Sequence, residues 1–343
     1  MAWVERVGTL HVHSRYSDGA GDVEEILRAA RDAGLDHVVL TDHDTLAAAR
    51  EGWGGTHDGV TLLVGVEITP KRRGHVLALQ VDHCEGYATQ LGAATLDSVL
   101  AQGGRVIVAH PQGKQKLSLG IRHAPWYDWH HPAVQGLEIW SYTHDWVDEV
   151  EWWRLPEAYA FWRHPERQVK GPSRAVLDTW DRLGLERRLS GLGALDCHAR
   201  RIPLTGWVIF SYERMFRWLR NHLFVREEDM RRDPQAALWQ ALLEGRGYVA
   251  HDILADARGV RCGALLPNGR ALQLGEEAPW AAGAVMTLAL PRAAEVHWME
   301  NGRLRLREHT ARMAVHPAGP GVNRFEVYLN GRPWIFTNPV YLR

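Results

Sequence analysis

The stretch Leu10-His11-Val12-His13-Ser14-Arg15-Tyr16-Ser17-Asp18-Gly19 closes a short apolar run, and its reading decides the fold. Residues two apart on a strand point to one face, so His11 and His13 aim at a common point. The pattern returns along the chain. Asp42-His43 follows the run 37–41, Glu67 follows 61–66, His110 follows 105–109, and Asp196-Cys197-His198 follows 191–195. In a parallel α/β barrel the C-terminal strand ends converge at one mouth, where functional side chains gather. Imidazole plus carboxylate is a ligand set for zinc, manganese or iron. One His-x-His is weak evidence, because an isolated histidine is more often a surface or hydrogen-bonded residue. The ordered set is specific, and so many ionisable groups facing one another without an ion would be costly.

Further strand-like runs cover 75–81 and 134–141, and helix-like stretches alternate with them. The stretch 22–33 is the clearest helix. Val23, Ile26, Leu27 and Ala30 form its apolar stripe, Asp22 and Glu25 a capping box, and Gly34 stands at the C′ position. Helices are also expected over 87–102, 169–185, 211–225 and 234–243. This alternation predicts βαβ units and a parallel sheet or barrel covered on both faces. The character changes near Gly245-Arg246-Gly247. Short alternating runs then dominate, with turn signals at Pro267-Asn268-Gly269, Glu300-Asn301-Gly302 and Asn330-Gly331. The expected division is an α/β unit over 1–247 and a small antiparallel, sandwich-like β domain over 248–343.

The 343 residues carry a formal net charge of −1, which argues for neither a general nucleic-acid role nor a membrane-surface one. Cys84, Cys197 and Cys262 share no close spacing, so a reducing, cytoplasmic setting is expected. Neither a secretory leader nor an 18-residue apolar stretch is found. Seven of the 16 tryptophans fall between Trp126 and Trp162. Core packing under a long loop is the plainer reading, and an apolar wall for a substrate pocket is the sharper one.

The motifs LHVHSRYSDG (10–19), LTDHD (40–44), GVEI (65–68), VAHP (108–111) and ALDCHAR (194–200) together resemble the polymerase and histidinol phosphatase (PHP) superfamily of metallohydrolases. The resemblance covers about residues 7–200, reaching about 250 with the closing helices. It implies a distorted (β/α)7 barrel holding two or three divalent ions, zinc, manganese or iron, at its mouth. The β-rich tail and the stretch WYDWHHPAVQGLEIWS (126–141) resemble the branch related to the carbaryl hydrolase CehA/McbA group.

The resemblance also implies roles. His11 and His13 would bind a first metal with Glu67 and Asp196. Glu67 would bridge to a second metal completed by His110 and a loop histidine. Asp18, His43 and His198 would hold a third. His144 is the chosen loop histidine because it follows the strand 134–141, with His123, His130 and His131 competing. Asp42 is expected to orient a neighbouring ligand, Asp44 to cap the next helix, and Cys197 to be a small buried residue turned away from the metals.

The reaction expected is hydrolysis, with a metal-bridging hydroxide attacking phosphorus. Glu67, Asp196, His198 and Arg200 would carry it. Lys114, Lys116, Arg200 and Arg201 are candidate phosphate clamps, with solvated surface charge as the plain alternative. His251 and Tyr87 are candidate proton donors by residue type alone. The expected substrate is a small phosphate ester. A carboxyl-ester, amide or carbamate hydrolase on the same metals is the alternative, and a catalytically silent PHP binding module is the second.

Overall fold

The computed structural model describes residues 2–70, 74–90, 92–111, 125–149, 164, 169–201, 208 and 210–343. It is a mixed α/β structure. The first half supplies strands β1 (Trp3–Val12), β2 (His37–Leu40), β3 (Gly55–His57), β4 (Val60–Val64), β5 (Val66–Ile68), β6 (Val76–Leu79), β7 (Arg105–Val108), β8 (Val134–Ser141) and β9 (Ser190–Ala194). Then come β10 (Leu219–Arg226), β11 (Gly247–His251), β12 (Arg261–Leu265), β13 (Ala271–Gln273) and β14 (Glu277–Ala278). The tail ends with β15 (Val285–Glu300), β16 (Arg303–Val315), β17 (Gly321–Leu329), β18 (Arg332–Thr337) and β19 (Val340–Leu342).

These strands fall into a 14-stranded and a five-stranded sheet. The larger runs β13-β12-β15-β17-β18-β11-β10-β1-β2-β4-β3, and the smaller runs β5-β6-β7-β8-β9. Two seams join them. At one, β4 continues into β5 through Gly65, where a Cβ would meet Leu79 Cδ2 at 2.7 Å and the Ala78 carbonyl oxygen at 3.0 Å. Only glycine admits that close approach. At the other, the Leu195 N–H donates to Leu10 O (3.0 Å), and the Cys197 N–H donates to His11 O (3.1 Å). The ends of β1, β2, β5, β7 and β9 thus come to one region.

Parallel pairing holds for β1-β2-β4 and β7-β8-β9, but β6 runs antiparallel to both β5 and β7. The helix Val23–Asp32 forms as expected: Asp22 and Glu25 exchange both capping-box hydrogen bonds, and Val23, Ile26, Leu27 and Ala30 are buried. The expectation of one helix over 211–225 is corrected. A four-residue helix, Tyr212–Met215, is followed by β10, which pairs antiparallel with β1. The spacing of Phe216, Leu219 and Leu223 suits a helix, but an open edge of β1 and full burial on both faces favour a strand.

In the tail, Asn301-Gly302 and Asn330-Gly331 turn β15 into β16 and β17 into β18. All four residues have positive φ, as type I′ hairpins require. The ladder is continuous across residue 247, since β11 pairs with both β10 and β18. The tail also reaches back to β9: the Asn338 side chain bonds both backbone groups of Gly191, at 2.7 and 3.0 Å. No helix among the described residues is long and apolar enough to cross a membrane.

Candidate metal centre

Three of the predicted ligands sit in left-handed backbone conformations: His11 (φ 68), His110 (φ 25) and Asp196 (φ 51). Residues other than glycine rarely adopt this region, and such strain clusters at functional sites. Simple alternation therefore does not explain the convergence of His11 and His13. The β1–β2 register shifts between Leu10 and Val12, and His11 turns there. His13 lies beyond the strand end, its N–H donating to Cys197 O at 2.9 Å.

The side chains meet closely. His11 Nε2 lies 2.9 Å from Glu67 Oε2 and 3.4 Å from Asp196 Oδ1. His13 Nε2 lies 3.2 and 3.3 Å from the same two oxygens. On the other side, His110 Nε2 is 3.2 Å from Glu67 Oε1, and His144 Nε2 is 3.2 Å from Asp196 Oδ2. The His110 and His144 rings stack with centroids 4.0 Å apart. A third group gathers around Asp18 Oδ1, with His198 Nε2 at 3.0 Å and His43 Nε2 and His13 Nδ1 each at 3.8 Å. Two ligands at about 2.1 Å from one tetrahedral ion stand about 3.4 Å apart, so these spacings suit donors sharing a cation.

The electrostatics fit as well. Glu67 and Asp196 are buried, which would raise their pKa values; the surrounding imidazoles, His11 foremost, hold both well below the usual carboxylate range. Burial opposes protonation of His11, but Glu67, Glu138 and Asp196 outweigh it and hold its pKa well above the ordinary value. His13 is pushed up to about 9 by the same contest, with the nearby carboxylates of Asp196 and Glu67 prevailing over burial. His110 and His43 go the other way, chiefly through burial. The buried carboxylates thus demand positive charge. The two ring nitrogens of His13 are buried and make no well-directed hydrogen bond, although carboxylate oxygens surround them. Nitrogens aimed at oxygens without a hydrogen in line fit shared coordination of a cation.

Every predicted metal ligand is thus in the convergence: His11, His13, Asp18, His43, Glu67, His110, His144, Asp196 and His198. Among the competing loop histidines, His130 pairs with Glu186 and His131 with Asp97, while His123 lies outside the described residues. Asp42 accepts from the Ser14 N–H and hydroxyl (2.7 and 2.6 Å) and from the Ser17 hydroxyl (2.5 Å), so it holds the loop that carries His13 and Asp18. Cys197 is buried, its thiol directed at Phe210 O.

The remaining expected residues fare differently. Asp44 does not cap the helix Ala47–Arg50; Thr45 Oγ1 accepts the Ala47 N–H, while the Asp44 N–H donates to Glu67 O. Arg200 is engaged by Asp18, whose second oxygen takes its guanidinium. His251 packs against Trp140 and Tyr142, and Tyr87 bonds Ser98 and Gln102, so neither joins the cluster. Lys114 and Lys116 lie outside the described residues.

Two residues escaped the sequence reading. His75 Nδ1 lies 2.6 Å from Glu67 Oε1. A wholly parallel reading puts the start of a strand at the far end of the sheet. Because β6 is antiparallel, the residue before it arrives on the metal side. Glu138 Oε1 lies 2.6 Å from His11 Nδ1. A lone carboxylate inside the apolar run Leu137-Glu138-Ile139-Trp140 is a signal that could have found it.

Residues 9–118 match the family model of the PHP domain. This stretch of the chain is therefore similar to a PHP domain. The chain is 35% identical over 96 residues to a phosphoribosyl 1,2-cyclic phosphate 1,2-diphosphodiesterase of Eggerthella lenta, covering 26% of this chain and 36% of that protein. It is 34% identical over 86 residues to a 5'-3' exoribonuclease of Haemophilus influenzae, covering 24% of this chain and 31% of that one. The chain thus spans about a third of the length of these curated relatives. Among solved structures, a two-domain Bacteroides vulgatus protein containing a predicted PHP-like metal-dependent phosphoesterase aligns over 98% of this chain and 95% of its own, at 16% identity and a TM-score of 0.44.

Proposed function

We propose that this protein is a metal-dependent hydrolase of phosphate esters, working at a di- or trinuclear centre. The observation that carries the reading is Glu67, whose two oxygens face separate ligand sets: Oε2 toward His11 and His13, Oε1 toward His110 and His75. His11, His13, Glu67 and Asp196 would hold one ion. Glu67 and Asp196 would share a second with His110 and His144, and Asp18, His43 and His198 would hold a third. Divalent ions so held make water nucleophilic at neutral pH and neutralise charge on phosphate oxygens.

The chain's own groups do the rest. The carboxylates keep the histidine nitrogens directed inward, and Asp42 fixes the loop bearing His13 and Asp18. Arg200, beside Asp18 and exposed, is the cation placed to meet a substrate anion at the rim. The two curated relatives named above share phosphoester chemistry in their names, which favours that substrate class. The carbamate alternative rests on the CehA-like resemblance and on the tryptophan-rich segment. Of its described members, Trp126 and Trp140 are buried in the core and Trp129 and Trp146 pack against it, which favours the packing reading. We also read the ring of strand ends, with its two seams, as the distorted barrel, with 1–247 as the hydrolase unit and 248–343 as a β unit docked on it.

The test is direct. Protein reconstituted with zinc, manganese or iron is assayed on p-nitrophenyl phosphate, bis-p-nitrophenyl phosphate and an aryl carbamate. Metal-dependent release from a phosphate substrate supports the proposal; turnover of the carbamate alone, or of none, defeats it.

A further inference from the structure

We infer that Glu138, in the interior of β8, is a positioning residue that sets two separate ligands of the metal centre at once; this rests on the metal-centre reading above. Glu138 stands outside the sets of converging ligand atoms and is 1% exposed. Its neighbours Leu137, Ile139 and Trp140 are buried and apolar, so a carboxylate here is costly unless both oxygens are engaged. Both are. Oε1 lies 2.6 Å from His11 Nδ1, and Oε2 accepts the backbone N–H of His110 at 2.7 Å.

Each contact has its own consequence. Carboxylate oxygens accept, so Nδ1 of His11 carries the hydrogen and Nε2 becomes the ligand atom, directed at Glu67 and Asp196. The second contact holds main chain. His110 has φ 25, and a donor–acceptor bond to a rigid strand is what keeps such a backbone in place. The β8 strand is itself irregular here, its register on β9 slipping between Glu138 and Trp140. One buried side chain therefore spans two left-handed turns on different strands, one bearing His11 and the other His110. These two belong to different ligand sets, so Glu138 ties the geometry of one metal position to that of the next.

Glu138→Gln tests this with almost no change of shape. An amide has one acceptor atom, so either His11 or His110 must face an NH2 group. The expected result is a cooperatively folded protein whose zinc affinity, measured by competition with a chromophoric chelator, falls about 10- to 100-fold. The visible spectrum of the cobalt-substituted protein should shift, which a merely structural role would not produce. Glu138→Asp keeps both acceptors one methylene short and should fall between Gln and wild type. Wild-type zinc affinity, stoichiometry and cobalt spectrum in folded Glu138→Gln would overturn the inference. Should that variant not fold, Glu138→Asp carries the same test: weakened zinc binding supports the inference, and wild-type binding overturns it. If the wild-type protein itself takes up no metal, the metal-centre reading falls together with this one. Wild-type uptake with unaffected Glu138 variants removes this one alone.

Discussion

Glu67 and Asp196 share two histidines: the Nε2 atoms of His11 and His13 lie between 2.9 and 3.4 Å from one oxygen of each carboxylate. The two acids arrive from different sheet segments, Glu67 in β5 and Asp196 just after β9, and both are largely withdrawn from water. Removing Glu67 takes a donor from every ligand set it faces. Glu67→Ala is expected to lose metal-supported turnover by more than about a hundredfold while unfolding remains cooperative. Turnover on the phosphate substrates, with metal content by mass spectrometry, checks this; full activity in the variant would refute the bridging role.

Metal should stabilise the fold as well as supply chemistry. Ions that bind only the native state add about 2.7 kcal/mol at a hundredfold excess over Kd. The expected outcome is a melting temperature lowered by several degrees after chelation and restored by zinc or manganese. Calorimetry on chelated and reloaded protein gives the answer, and identical melts would count against resident ions.

Much of this centre was legible because ligand chemistry has few solutions. A strand end bearing His, Asp or Glu is conspicuous when it recurs in order, and His11, His13, His43, Glu67, His110, Asp196 and His198 stand out that way, whereas Asp18 follows from the family resemblance. The Asn-Gly hairpins of the tail were legible for the same reason, since few residues accept paired positive φ. What stayed hidden depended on direction and partnership. His75 was hidden by the antiparallel course of β6, and Glu138 because it acts through His11 and His110; Arg200 itself was legible, but its pairing with Asp18, 182 residues away, was not. The strand Leu219–Arg226 was hidden because its apolar spacing satisfies two periods, and only pairing with β1 decides between them.

A buried ionic group away from the metals makes stability depend on pH. His222 stands between Glu5 Oε1 (2.9 Å) and Asp252 Oδ2 (3.0 Å), with Tyr248 and Arg220 bonded to the same carboxylates. Burial works against the Glu5 carboxylate, yet His222 and Tyr248 lower its pKa to about 2. Asp252 is lowered too, against burial, by His222. His222 is raised, because these acids outweigh its burial. For the depressed acids, stability is present above their unfolded pKa values near 4 and is lost as pH falls toward 2. For the raised histidine it is complete below about 6.5 and lost as pH rises through the folded value. Stability from this group should therefore peak between about pH 4.5 and 6.5. Glu5→Gln should lower the unfolding free energy by about 3 kcal/mol in that window and flatten the acid limb. Urea titrations of chelated protein from pH 3 to 8 test it; an unchanged acid limb would contradict the assignment.

The tail is tied to the rest by one fully buried guanidinium. Arg324 of β17 donates through Nε and Nη2 to the two oxygens of Asp181, at 2.6 and 2.7 Å, and Nη2 also meets Glu326 Oε1 at 2.8 Å. Asp181 belongs to the helix Arg174–Glu186, so the pair crosses from the C-terminal strands to the α/β part. Against burial, Asp181 and Glu326 hold the Arg324 pKa above even its usual value. Deleting one partner strands buried charge. Arg324→Met should cost about 3–5 kcal/mol, because Asp181 and Glu326 lose their main counter-charge. Asp181→Leu alone should cost less, since Arg324 keeps Glu326. The double variant should be more stable than the sum of the two single losses implies, because the repulsive leftovers of each are removed together. Zinc affinity should not change in any of the three, as none touches the cluster. Denaturant unfolding of the full cycle measures the coupling, and strictly additive losses would show that the pair contributes packing and no specific bond between the two parts of the chain.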